Sequence, residues 1–207
     1  MINREHFFTK TRNGFKKLNQ SQVDGFNAVL SAWENKGFEK EIKWREKLAY
    51  CLATFWHETA FTMQPIEEFG KGKGHKYGTR VKLSGKRYDD VIHLFYGRGH
   101  VQLTWYENYQ KMSKYAEIDL VKNPHAMLDM ETSIKVSIAG MINGEYTGKS
   151  LSRYFSANIN DPYFARRVVN GMKVDARNPK LKVDVSAKNI EKYYHIFLQA
   201  IQAYPND

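Results

Sequence analysis

The sequence predicts a mainly α fold with a small irregular β region in its first half. Two observations lead there. Apolar residues recur at helical spacing over several long stretches, and glycine concentrates in one stretch between them. Of the 207 residues, 42% are hydrophobic and 26% charged, an ordinary globular composition. That length supports one core without disulfides. No internal repeat or low-complexity linker divides the chain, so one domain is expected over 1–207.

The elements follow in order. Met1 to Lys17 is basic and lacks the apolar run and small-residue cleavage site of a secretion signal. Ser21 is placed to cap the first helix, with Asp24 at the capping-box position. Val23, Phe26, Leu30 and Trp33 give that helix its apolar face, and Gly37 stops it. A second helix is predicted from about Lys40 to about Thr59, with Ile42, Leu48, Cys51, Leu52 and Phe55 turned inward. Glu58 lies on the continuation of this stripe. From Glu67 to Val91 the pattern becomes a glycine-rich loop, with short strands expected around Arg80–Leu83 and Val91–Phe95. Helices are predicted again at about Tyr106–Tyr115 and Ala126–Ile142. Shorter pieces fall at Leu151–Phe155 and Pro162–Asn170. The last helix is expected to begin near Ser186 and to turn Ile190, Tyr193, Tyr194, Phe197 and Ile201 inward, or else to act on a membrane through its basic face.

Charge and cysteine content narrow the chemistry. Lys and Arg number 32 against 22 Asp and Glu, a formal charge of +10. This favours polyanionic partners. Cys51 is the only cysteine, so no intrachain disulfide and no Cys-rich zinc site can form; a buried thiol is expected. No stretch reaches the ~20 apolar residues of a membrane span.

Several motifs fail on inspection. His57-Glu58-Thr59-Ala60-Phe61 lacks the second histidine of H-E-x-x-H. His75, His93, His100, His125 and His195 have no ligand spacing and read as polar surface or loop residues, so no metal and no cofactor are expected. Gly70 to Gly74 is not a phosphate loop, and Gln102 occupies the third glycine position of a dinucleotide fingerprint. Specific nucleic-acid binding is disfavoured, because the aromatics fall on helix core faces.

What remains is a set of carboxylates: Glu58 at a helix end, and Glu67 and Glu68 after the turn at Pro65. Spacing alone allows a salt-bridged surface pair as well as a catalytic pair. Glycoside hydrolysis needs one protonated and one ionised carboxyl across the scissile bond. Burial of Glu58 against Phe55 and Trp56 would favour its neutral form, and the glycine-rich surroundings of Glu68 suggest a wetter site.

A longer pattern surrounds these residues. His57-Glu58-Thr59, Met63-Gln64-Pro65-Ile66-Glu67-Glu68 and Tyr96-Gly97-Arg98-Gly99-His100-Val101-Gln102-Leu103-Thr104 with Asn108-Tyr109 resemble the signature of glycoside hydrolase family 19. So do Asp119-Leu120 with Asn123-Pro124, Tyr146-Thr147-Gly148, and Ala165-Arg166-Arg167-Val168-Val169-Asn170-Gly171. The resemblance covers about 20–202 and is nearest to the phage and prophage endolysins of this chitinase-like family. It implies a lysozyme-like α+β fold and an inverting glycosidase. Glu58 matches the general acid. Glu68, or Glu67 on a shorter spacing, matches the base, and Thr104 matches the hydroxyl that helps hold water. Tyr96, Gln102, Asn108 and Asn170 match sugar contacts; Arg98 has no such assigned role and reads as a structural guanidinium near the carboxylates. The implied substrate is the β-1,4-linked glycan of peptidoglycan, with chitin as the alternative and a non-catalytic glycan-binding protein as a third reading. The implied setting is a monomer held in the host cytoplasm until released to the wall, touching the anionic outer envelope by charge, with no separate wall-binding domain. Two departures stand out. His100 replaces a proline or apolar residue common in plant chitinases, and 172–188 is longer and more polar than in compact endolysins.

Overall fold

The computed structural model describes residues 1–172 and 183–201. Helix α1 (Arg4–Phe15) is followed by α2 (Gln20–Asn35) and α3 (Trp44–Glu58). Strands β1 (Ile66–Glu67) and β2 (Arg98–Gly99) form an antiparallel pair with Ile66 opposite Gly99 and Glu67 opposite Arg98. Then come α4 (Tyr106–Ala116), α5 (Met130–Asn143) and a second hairpin, β3 (Phe155–Ser156) with β4 (Ile159–Asn160). Helix α6 (Val185–Ile201) ends the described chain. The expected mainly helical architecture is present.

Details differ from the sequence reading for local reasons. The first seventeen residues contain α1, which no apolar period announced. Asn3 caps it, and Phe7 and Phe8 carry it into the core. Asn19, not Ser21, caps α2. Its side chain accepts from the Gln22 amide while Gln22 accepts from the Asn19 amide, a full capping box. Helix α3 begins at Trp44 rather than Lys40, because Phe38–Lys40 forms a separate 3-10 turn. The predicted helix at 126–142 is broken at Asp129, whose extended backbone ends a 3-10 turn and whose carboxylate caps α5. The strands expected at 80–83 and 91–95 reduce to one bridge, Val81 with Arg87, and the paired strands lie at 66–67 and 98–99 instead. The β3–β4 hairpin in the second half was not foreseen. Part of the polar stretch at 172–188 lies outside the described residues.

Two hydrophobic clusters organise the molecule. The larger gathers α1, α2, α3, α6 and one face of α5 around Phe7, Phe26, Trp33, Phe55 and Phe197. Here α6 packs on α3 and α1, burying Ile190, Tyr194, Phe197 and Ile201. That face is part of the core, while Lys188 on the same helix is exposed. Cys51 is fully buried in this cluster, as expected. The smaller cluster joins Tyr88, Phe95, Leu103, Tyr106, Tyr109 and Met112. At roughly 1.5–3 kcal/mol for each fully buried large side chain, either cluster can hold its elements rigidly. Glu58 ends a helix of the first cluster. Glu68 hydrogen-bonds to the segment 95–103, whose ends, Phe95 and Leu103, lie in the second. The carboxylates are therefore positioned from the two cores separately.

Candidate functional site

Helix α3 delivers Glu58 at its last residue. The turn after it is set by Thr59, whose hydroxyl donates to the Phe55 carbonyl and accepts from the Met63 amide. Ala60, Phe61 and Met63 all take positive φ there, so the chain reverses within five residues and runs into β1. The Glu58 side chain is 17% exposed, and its Oε1 accepts from Arg166 Nη1 at 2.5 Å. This corrects the expectation of a carboxyl set only against aromatic rings: its partner is a cation 108 residues away. Arg166 itself is buried, on a 3-10 turn (Phe164–Val168). His57 lies beside the pair. Burial holds its imidazole below the usual histidine range, the Glu58 charge opposes this, and Arg166 adds to it.

The other two carboxylates point to different neighbours, as successive residues of an extended chain must. Glu67 accepts from the Tyr96 hydroxyl at 2.6 Å and pairs with Lys71 at 3.2 Å. Arg98 Nε lies 3.6 Å away and His125 Nδ1 3.7 Å away. The Tyr96 hydrogen bond holds the Glu67 carboxyl below its ordinary range, against the effect of burial and with help from Lys71 and Arg98. Glu68 is held otherwise. Its Oε1 accepts from the Tyr77 hydroxyl at 3.1 Å and its Oε2 from the Gly97 amide at 2.9 Å. Burial, and then the Glu68 carboxylate, push the Tyr77 phenol up, so Tyr77 remains a donor.

Arg98 has the structural role expected of it. It is 1% exposed, donates to the Leu94 and Tyr96 carbonyls and the Tyr109 hydroxyl, and lies over the Tyr96 ring at 3.7 Å. Removing one partner of such a buried ion costs on the order of 3–5 kcal/mol, so Arg98 locks β2 beside Glu67.

The residues expected to meet sugars are placed unevenly. Tyr96, expected as a sugar contact, is 6% exposed and its hydroxyl donates to Glu67. Gln102 donates its amide to the Ile66 and Gly99 carbonyls, bracing β1 against β2. Asn108 donates to the Thr104 carbonyl and so fixes the turn carrying the Thr104 hydroxyl. Thr104 is half-buried and precedes Trp105, whose ring meets Tyr77 edge-on. Asn170 is exposed, on the wall of a cavity of about 290 Å³ shared with Thr147, Lys149 and Arg167. Its amide N–H donates to the Arg166 carbonyl, which ties it to the Glu58 side. Among the described residues no hydrogen bond or ion pair joins Glu58 to Glu67 or Glu68.

His100 is the clearest misreading. It was expected at the surface and is fully buried. Its amide and Nδ1 both meet Ser133 Oγ, and its ring packs on Phe55. Burial holds its imidazole down at about 4. Residues without an assigned part in the sequence reading also matter here. Arg166 was present in the quoted motif without a role, and Tyr77 was hidden in the glycine-rich loop. An aromatic among glycines and lysines was the only signal for Tyr77.

Two larger cavities, of about 710 and 720 Å³, contain none of these residues. Among the described residues no group of three or more His, Cys, Asp or Glu side chains is arranged to hold a metal ion, and no helix is long and apolar enough to cross a membrane.

Comparison with solved structures places the fold. The chain is similar to chitinase C from Streptomyces griseus, with a TM-score of 0.68 at 20% identity over 97% of this chain and 76% of that one. It is similar to a family 19, class IV chitinase from Zea mays, with a TM-score of 0.63 at 16% identity, covering 99% and 94%. A bacterial family 19 chitinase gives 0.55 at 20% identity, covering 95% and 94%. The chain thus has the lysozyme-like fold of these chitinases. No protein-family model and no curated protein sequence matches it.

Proposed function

We propose that this chain is an inverting glycoside hydrolase that cleaves β-1,4 bonds between N-acetylated sugars. The observation that carries the reading is the contrast between two fixed carboxyls on this fold. Glu58 is gripped through one oxygen only, and Glu68 is gripped through both. Arg166 occupies Oε1 of Glu58, which leaves Oε2 to carry a proton to the leaving oxygen. Glu68, with Tyr77 and the Gly97 amide as donors, is a carboxyl of fixed direction, suited to take a proton from water on the opposite face of the sugar. The Thr104 hydroxyl orients that water. Sugar contacts are assigned to Gln102, Asn108 and Asn170. Tyr96 acts through Glu67.

Glu68 is preferred to Glu67 as the base. The Tyr96 phenol, Lys71 and Arg98 hold the Glu67 carboxyl below its ordinary range and so make it a poor base.

Replacing Glu58 by Gln keeps an acceptor for Arg166 while removing the proton. The expected result is a loss of at least ~100-fold in kcat, as general-acid catalysis contributes about 10²–10⁴-fold, with a lowered melting temperature because buried Arg166 loses its anion, and an unchanged far-UV circular dichroism spectrum below the transition. A variant that kept a tenth of the wild-type rate would remove Glu58 from the acid role.

The preferred substrate is peptidoglycan, for the lysis of a bacterial host, with the protein acting as a monomer. The charge of +10 suits an anionic envelope. Chitin is the second reading, favoured by the chitinases that share the fold. Digestion of purified peptidoglycan, reduction and mass analysis of the new ends decides the bond: reduced N-acetylmuramic acid means a muramidase, reduced N-acetylglucosamine a glucosaminidase. A parallel digest of chitin oligomers decides the polymer.

A further inference from the structure

The loop from 69 to 88 carries Lys71, Lys73, Lys76, Arg80, Lys82, Lys86 and Arg87 and not one Asp or Glu. It leaves directly from Glu67 and Glu68. It is also folded back onto them. Tyr77 reaches Glu68, Lys71 reaches Glu67, and the Tyr77 ring meets Trp105 beside Thr104.

The loop is built, not loose. Gly78 and Gly72 touch so closely that a Cβ on Gly78 would come within 1.9 Å of the Gly72 carbonyl oxygen. A turn closes with the Lys82 amide on the Lys86 carbonyl. The Glu107 carboxylate, in the first turn of α4, accepts from the Leu83 and Ser84 amides.

The neighbouring acids are spent. Glu107 is used on those amides, Asp90 accepts from Tyr106, and Asp89 pairs with Arg87. Lys82 lies over the Tyr106 ring. Lys73, Lys76, Arg80 and Lys86 have no ion pair among the described residues, and the three lysines are exposed. A concentration of unpaired positive charge on a loop that contacts Glu67 and Glu68 raises the local concentration of an anionic ligand.

We propose that loop 69–88 is a carboxylate-reading surface that selects an anionic β-1,4 glycan over a neutral one with the same backbone. This rests on the glycosidase reading above and refines its substrate class: a glycan whose sugars bear acidic substituents, through lactyl groups or acidic peptides. The surface acts on binding, not on the chemical step. Its contribution appears in KM and fades as salt screens exposed charges beyond about 8–10 Å.

The test separates binding from turnover. The full chain carrying Glu58→Gln is titrated at low salt with carboxymethyl chitin and with neutral glycol chitin of equal length, and with a short DNA duplex. We expect about tenfold tighter binding of the carboxylated polymer. With Lys73→Gln, Lys76→Gln and Lys86→Gln combined, the preference falls to within about twofold. With Arg at the same three positions it returns. On the otherwise wild-type chain the triple Gln change raises KM for the carboxylated polymer about tenfold and leaves kcat on the neutral polymer unchanged. Equal binding of the two polymers, a preference that survives the triple Gln change, or DNA binding as tight as that of carboxymethyl chitin each overturn the proposal. If the preference holds but neither polymer is cut, the charge-selective surface stands and the glycosidase reading fails.

Discussion

Glu58 and Arg166 show how one residue's surroundings decide its use. In the free protein the guanidinium fixes one carboxylate oxygen and the other has no protein partner among the described residues. The adjacent pair Glu67 and Glu68 makes the same point in reverse. They share a residue type and neighbouring positions, yet one pairs with Lys71 and lies near Arg98 and the other is held by a phenol and a main-chain amide. Glu68→Gln is therefore expected to lower kcat by at least ~100-fold. Glu67→Gln is expected to cost less than about tenfold in kcat and to lower the melting temperature, because it leaves buried Arg98 short of its anion. Equal losses of kcat in steady-state assays would contradict the assignment. His100 yields a stability prediction. In the fold its pKa is held down at about 4, below the ordinary histidine value of about 6.5, so the unfolded chain binds the proton more readily. The neutral buried ring thus supports the fold fully above pH 6.5, and that support is lost as pH falls from 6.5 towards 4. The loss is roughly 3 kcal/mol at most. Urea unfolding of His100→Leu at pH 7, 5.5 and 4.5 should give a shallower decline than the wild type.

At the scale of elements, caps and close approaches position the site more than propensity does. The Asn19–Gln22 capping box starts α2, and Asn19→Ala should cost about 1 kcal/mol in chemical denaturation. Gly25 lies in the same helix where α2 meets the turn after Glu58. A Cβ there would come within 2.2 Å of the Met63 carbonyl oxygen. Gly25→Ala should therefore lower stability by more than about 1 kcal/mol and reduce activity together, since the turn joining Glu58 to β1 must move. Normal activity in a destabilised variant would show that the turn tolerates the shift. Helix α1 was missed by the sequence reading because its inward stripe holds only Phe7, Phe8 and Phe15, interrupted by Thr11; it is stable because tertiary packing covers them.

Across the whole molecule, two cores hold the two sides of the candidate site and the net charge of +10 biases what approaches it. Hydrolysis of peptidoglycan is expected to fall about tenfold as salt rises from about 0.05 M to about 0.5 M, while that of neutral chitin oligomers changes less than about twofold. Equal salt dependence would remove charge from the account. The helical architecture was legible because burial of one helix face leaves a period in the chain. Glu58, Glu68 and Thr104 stand out in the chain as residue types in a specific pattern. The small strands were misplaced because two-residue pairs leave no alternation to read, and His100 was misplaced because a histidine's burial depends on what the fold sets against it. By itself the sequence determined that the chain would be carried on packed helices, since that follows from local order, and its motifs resemble a pattern that singles out Glu58, Glu68 and Thr104 as candidates. Only the tertiary structure decided that Glu58 meets Arg166, that Glu67 and Glu68 have different neighbours, and that a basic loop returns to them. Those are contacts between residues far apart in the chain, and their energies depend on distance and dielectric, which no local pattern records.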